Sequence, residues 1–118
     1  NGTNEKKTQP SQSEISVHRN AGNIQLRYTR LSSREMCRLS RHIEVEWDTL
    51  AGLMDIPRAD RNDIRDNILY NNNCSRAEKI LSIFNHKEDF SRENLAYCLK
   101  EINQLELIRP VTTGEWRS

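Results

Sequence analysis

Apolar residues recur at helical spacing from Leu31 onward, in short stripes separated by polar breaks. The clearest stripes stand at i, i+3, i+4 and i+7, namely Trp47, Leu50, Ala51 and Met54, then Ala77, Ile80, Leu81 and Phe84. Such spacing gives a helix one apolar face, which must be buried against another element. No βαβ alternation and no internal repeat is visible. The sequence therefore predicts an all-α fold, a six-helix antiparallel bundle over residues 31–110.

Polar residues that favour helix starts divide this region further. Ser32 and Glu35 match the capping-box pattern, so the first helix is expected to begin there. Ser75 and Glu78 match it again and predict the start of the fourth helix. Ser91 is the predicted cap of the fifth helix.

Proline and asparagine mark the expected helix ends. The second helix is expected to stop near Pro57, and a short third helix follows within residues 58–69. The Asn-rich run 70–74 breaks the pattern before the fourth helix. The sixth helix, built on residues 105–108, is expected to stop at Pro110.

The two ends of the chain are polar and poor in large apolar side chains. Such composition does not bury enough surface to offset the entropy of ordering. We therefore expect residues 1–30 to be a flexible linker, although Ile24, Leu26 and Tyr28 alternate as in a short strand. Residues 111–118 are expected to be a flexible tail in which Trp116 is loose.

The net charge and the cysteine content limit the class of protein and the cellular compartment that this sequence suits. A net charge of +1 argues against a dedicated nucleic-acid binder or an electrostatically held membrane protein. No stretch approaches about 18 consecutive apolar residues, so no membrane insertion is expected. The three cysteines, without a CxxC pair, indicate free thiols in a reducing compartment. The expected location is the cytoplasm.

Groups suited to catalysis are scattered along the chain. His18, His42 and His86 lie far apart in sequence, and no common nucleophile or phosphate-binding motif is present. An aspartate series at positions 60, 63 and 66 lacks the glycine and the final glutamate of an EF-hand. The sequence indicates no enzyme, no cofactor and no metal.

Several segments resemble the death domain family in order and spacing. The run Trp47-Asp48-Thr49-Leu50-Ala51-Gly52-Leu53-Met54 looks like that family's second helix, and Leu95-Ala96-Tyr97-Cys98-Leu99-Lys100 like its fifth. The resemblance covers residues 31–110. Arg61 replaces a usual aliphatic residue, and Phe84 a frequent tryptophan. The likeness is greatest to adaptors of the Fas-associated death domain type, with insect immune adaptors and receptor-interacting kinases as alternatives.

This resemblance implies an adaptor that binds other death-domain proteins (receptor, adaptor or kinase) in an apoptosis or innate-immune complex. Caspase recruitment would use a region outside this sequence. Family members join through asymmetric contacts between helices two and three of one copy and helices one and four of another. Carried over, one side is Asp55, Arg58, Asp60, Arg61 and Asp63. The other is Arg34, Arg38, Arg41, Arg76 and Lys79. Lys87, in the loop 86–89, is a further candidate.

The residues themselves support that arrangement. Arg34, Arg38 and Arg41, at i, i+4 and i+7, share one face of the first helix. Basic and acidic patches on different faces favour head-to-tail contacts, including homo-oligomers. Solvated surface charge is the plainer interpretation of each residue taken singly.

Two other interpretations stay open. A helical nucleic-acid-binding module would use the Arg34, Arg38 and Arg41 face for phosphate contacts. A caspase-recruitment domain would share the assembly mechanism but change the partners, and a break in the first helix would favour it.

Overall fold

The computed structural model describes residues 27–117, and all regular structure in that part of the chain is helical. The helices are α1 (Ser33–Ile43), α2 (Trp47–Leu53), α3 (Arg58–Asp66), α4 (Asn73–Asn85), α5 (Arg92–Glu101) and α6 (Ile108–Thr113). Short 3-10 turns, Glu44–Glu46 and Leu105–Leu107, lead into α2 and α6. The all-α prediction is confirmed for these residues. The six-helix count is met in part, since α1 to α5 are full helices and α6 has only six residues.

Helix α4 lies at the centre of the core. Ala77, Ile80 and Leu81 are fully buried there, and α1 packs along the helix while α2 and α3 also contact it. Helix α6 packs on α5. The Trp47 stripe is buried to the same degree, so both predicted apolar stripes face the core.

Two of the three predicted caps are confirmed. The Ser32 hydroxyl accepts from the Glu35 amide at 3.1 Å, and the Glu35 carboxylate accepts from the Ser32 amide at 2.9 Å. The Ser91 hydroxyl likewise accepts a hydrogen bond from the third residue of α5 at 3.0 Å. The chain pairs these groups locally, so a pattern of nearby residues was sufficient to find them.

The predicted start of the fourth helix is wrong by three residues. The Asn72 side chain accepts from the Ser75 amide at 2.8 Å, and Ser75 bonds back to Asn72 in a reciprocal box. Asparagine caps a helix as well as serine does. Because Asn72 comes first in the chain, the helix begins at Asn73 and Ser75 lies inside its first turn.

The prediction that Pro110 stops the last helix is also wrong. Pro110 is the third residue of α6, where a missing N–H breaks no intrahelical bond. The helix ends instead at Gly114, whose φ of 71° is left-handed and suits a residue without a Cβ. Val111 is buried, so packed structure continues beyond the expected boundary at residue 110.

Residues just before α1 are held by the loop after α4. The Arg30 guanidinium donates to the carbonyl of Asn85 at 2.8 Å and to that of Lys87 at 2.7 Å. The Leu31 amide donates to the Asn85 side chain at 2.7 Å. The expectations for residues 1–26, including His18, lie outside the described residues. So do Ile24 and Leu26 of the strand-like alternation, whose third member, Tyr28, is exposed.

Candidate functional site

Arg34, Arg38 and Arg41 are exposed on α1, on the side away from its buried residues. Arg34 and Arg41 make no hydrogen bond or ion pair with any described residue. Their charges are therefore available to an external partner.

The Arg38 side chain is in contact with Trp116, near the end of the described residues. Its guanidinium carbon lies 4.3 Å from the ring centroid of Trp116, and the His42 ring stacks on the same indole at 5.6 Å with planes 20° apart. The Ser32 hydroxyl donates to the Arg117 carbonyl at 3.2 Å. The expectation that Trp116 is loose is wrong, because the indole contacts both the Arg38 cation and the His42 ring, and both contacts are attractive.

The α4 cations do not extend the α1 stripe. The Lys79 ammonium lies 5.9 Å from the Tyr70 ring centroid, and Lys79 shares a groove with Met36. Met36 is two residues from both Arg34 and Arg38, so it leaves α1 on a different side. Arg76, half-buried, donates to the side chain of Asn73 at 3.1 Å. The contacts of Lys79 and Arg76 are therefore local to α4 and the loop before it.

An arginine-lined cleft of about 260 Å³ lies between α2 and α3. Arg58, Arg61 and Arg65 line it from α3 at i, i+3 and i+7, with Asp48 from α2. One oxygen of Asp48 lies 3.3 Å from an Arg61 nitrogen and 3.1 Å from an Arg65 nitrogen. Arg58 makes no hydrogen bond or ion pair with a described residue.

Arg61 has a structural role in addition to the predicted role in partner binding. Its Nε donates to the Ile56 carbonyl at 3.1 Å, and its side chain is only 21% exposed. The guanidinium also lies against Gly52. A polar residue thus docks α3 on α2 where the family usually has an aliphatic one.

Asp48 and Arg65 were missed as site residues. Arg65 is held by Asp48, by the Asn62 side chain at 2.7 Å, and by the Trp47 ring, whose centroid lies 5.4 Å away. The arginine spacing on α3 was visible in the sequence. The role of Asp48 depends on how α2 and α3 pack, which no local spacing reveals.

The acidic residues predicted beside these arginines lie elsewhere. Asp60 and Asp63 are exposed on α3, outside the cleft. Asp55 follows α2 with a φ of 63° and shares a separate cleft of about 160 Å³ with Lys87, Asp89 and Tyr97. The residues expected to form one mixed patch on helices two and three therefore lie in three separate areas: the arginine-lined cleft, the exposed part of α3 with Asp60 and Asp63, and the Asp55 cleft.

Reactive chemistry is sparse in the described part of the chain. Residues 27–117 contain no cluster of three His, Cys, Asp or Glu side chains that could hold a metal. The three cysteines are free thiols. Burial, then the carboxylates of Asp55 and Glu101, raise the pKa of the Cys98 thiol, which makes Cys98 a poor nucleophile at neutral pH.

No helix among residues 27–117 is long and apolar enough to cross a bilayer.

The model of one protein family, the death domain, matches residues 33–113. No curated protein and no solved structure gives a significant match.

Proposed function

Because this chain belongs to the death domain family, we propose that it is a non-enzymatic adaptor module that binds other death domains through charged, asymmetric contacts. The partners are death domains of receptors, adaptors or kinases. The complex so assembled signals in the cytoplasm, for apoptosis or innate immunity. Free thiols at all three cysteines suit that reducing compartment.

One observation supports this proposal above the others. Exposed charges stand at several predicted partner-binding positions without an ion pair to any described residue: Arg34, Arg41, Asp55, Arg58, Asp60 and Asp63. Exposed charges of both signs that are not paired within the monomer are able to steer association and select partners.

The basic residues of α1 and the acidic residues of α3 lie on different helices, which favours one kind of assembly. Arg34 and Arg41 lie on α1, whereas Asp60 and Asp63 lie on α3. Two copies that present different surfaces to each other form a heterologous contact, and such contacts extend into rings or helical arrays. Homo-oligomers and mixed assemblies with partner death domains follow from the same geometry.

The finer identity is part of the same proposal. Adaptors of the Fas-associated type, in which a separate region recruits a caspase, are the leading candidate, with insect immune adaptors and receptor-interacting kinases as the alternatives. The segments that carry the resemblance to the death domain family as a whole lie mainly on α2 and α5, which pack on each other in the fold.

Light scattering after size-exclusion chromatography tests the proposal, with the protein alone and with a panel of death domains. We expect complexes at low salt that weaken at high salt, because screening shortens the reach of surface charge. A chain that stays monomeric with every death domain at low salt contradicts the proposal.

Charge reversal then tests the surfaces. Asp60→Lys with Asp63→Lys, and separately Arg34→Glu with Arg41→Glu, should each abolish assembly while leaving helix content unchanged. Glu101→Lys with Glu106→Lys is the matched control, since both glutamates are exposed and lie on other elements. Loss of assembly in the control would show an effect of net charge and not of these surfaces.

If the chain self-associates, a mixing experiment tests the α1-to-α3 pairing more directly. Neutral variants serve here, Asp60→Asn with Asp63→Asn and Arg34→Gln with Arg41→Gln. Each keeps one intact surface, so a mixture of the two should form a one-to-one complex that grows no further. If the mixture stays monomeric while the unmodified chain oligomerises, the α1-to-α3 pairing is wrong.

A further inference from the structure

The side chains that line the cleft between α2 and α3 carry a net positive charge. Arg58, Arg61 and Arg65 contribute three guanidinium groups, and Asp48 is the single carboxylate in the lining. The local balance is therefore +2. Asp60 and Asp63 do not line the cleft.

Two of the guanidinium groups are already fixed in place. Arg61 is held by the Ile56 carbonyl and Asp48, and Arg65 by Asp48, the Asn62 side chain and the Trp47 ring. Side chains fixed before a ligand arrives lose little conformational entropy when it binds. The cleft is thus preorganised on one side.

The third guanidinium supplies free donors. Arg58 lines the same cleft without a hydrogen bond or ion pair to a described residue. The position of Asp48 shows that one oxygen anion sits within reach of two arginines at once. An oxyanion with several oxygens can bind Arg58 while also accepting from the N–H groups of Arg61 and Arg65 that Ile56, Asp48 and Asn62 leave free.

We propose that this cleft is a binding site for a phosphate monoester dianion. A phosphate group carries about −1.5 to −2 charge at neutral pH and has three acceptor oxygens, which match the excess charge and the three guanidinium groups. A single carboxylate would leave the cleft positively charged. This inference goes beyond the proposed partner binding, because phosphate binding is measured without any partner.

Titration of the full chain with inorganic phosphate, O-phosphoserine and acetate, followed by NMR of the arginine Nε–H signals, tests the site. We expect saturable shifts at Arg58, Arg61 and Arg65 with both phosphates and no saturation with acetate at equal ionic strength. Tighter binding of O-phosphoserine indicates a phosphorylated side chain as the source, and equal binding indicates free phosphate. Saturation by acetate as strong as by phosphate overturns the proposal.

Two variants with opposite expected effects complete the test. Arg58→Gln should weaken phosphate binding about tenfold, since it removes charge-assisted bonds, while Arg109→Gln, at an exposed arginine of α6, should leave it unchanged. Asp48→Asn should strengthen binding, because it removes the competing carboxylate. Equal losses in Arg58→Gln and Arg109→Gln, or no gain in Asp48→Asn, would overturn the site.

Discussion

The guanidinium of Arg92 and the carboxylate of Glu35 form a two-pronged ion pair inside the protein. The nitrogen–oxygen distances are 2.6 and 2.8 Å, and each residue is 1% exposed. Glu35 is also the third residue of α1 and completes its capping box through Ser32. Arg92 donates further to the carbonyls of Thr29, Arg30 and Val111. One buried pair thus joins the starts of α1 and α5 to α6.

Replacement of Arg92 by Leu is expected to lower the free energy of unfolding by about 3–5 kcal/mol, because it leaves the Glu35 carboxylate buried without its counterion. Urea unfolding followed by circular dichroism measures the change. Arg109→Leu, at an exposed arginine of α6, should stay within about 0.5 kcal/mol. Similar losses in both variants would mean that the Glu35 pair has no special weight.

Removal of the Asn72 side chain is expected to destabilise α4. Asn72→Ala should cost about 1 kcal/mol, since it removes the cap on the Ser75 amide. Asn94→Ala is the matched control and should be close to neutral, because Asn94 is exposed on α5 and its side chain makes no hydrogen bond with a described residue. If Ser75→Ala costs more than Asn72→Ala in chemical denaturation, the cap assignment is incorrect.

The contact of Trp116 with α1 is expected to contribute to stability. Trp116→Ala should lower the free energy of unfolding by about 1–2 kcal/mol, through loss of the His42 stacking and the Arg38 cation–π contact. Tyr97→Ala is the control, because Tyr97 is an exposed aromatic residue on α5. Thermal unfolding of the two variants should separate them, and equal melting temperatures would contradict the packing of Trp116.

The buried thiol of Cys98 gives a prediction for alkaline pH. Because its pKa is raised in the folded state, the folded protein keeps a proton that the unfolded chain loses once pH exceeds the usual thiol pKa. This group therefore makes stability fall as pH rises above that value. Unfolding from about pH 8 to about pH 10 should show a steeper fall for the unmodified chain than for Cys98→Ala. Equal slopes would contradict the prediction.

The sequence by itself determined the local structure of this protein. Helix periodicity, the caps at Ser32 and Ser91, and the burial of the Trp47 stripe depend on residues a few positions apart. Spacing and side-chain chemistry were enough to find them, and the match to the family model over residues 33–113 agrees with that assignment. The errors at Asn72 and Pro110 arose where two residues compete for one helix end.

Only the tertiary structure decided which charged residues are available for binding. Glu35 and Arg92 are 57 positions apart, and no periodic pattern connects them. The packing of Trp116 on Arg38, and of Asp48 against Arg61 and Arg65, likewise depends on which helix faces meet. A charged residue has the same sequence signature whether it pairs internally or faces solvent. Its role is fixed by neighbours that come from elsewhere in the chain.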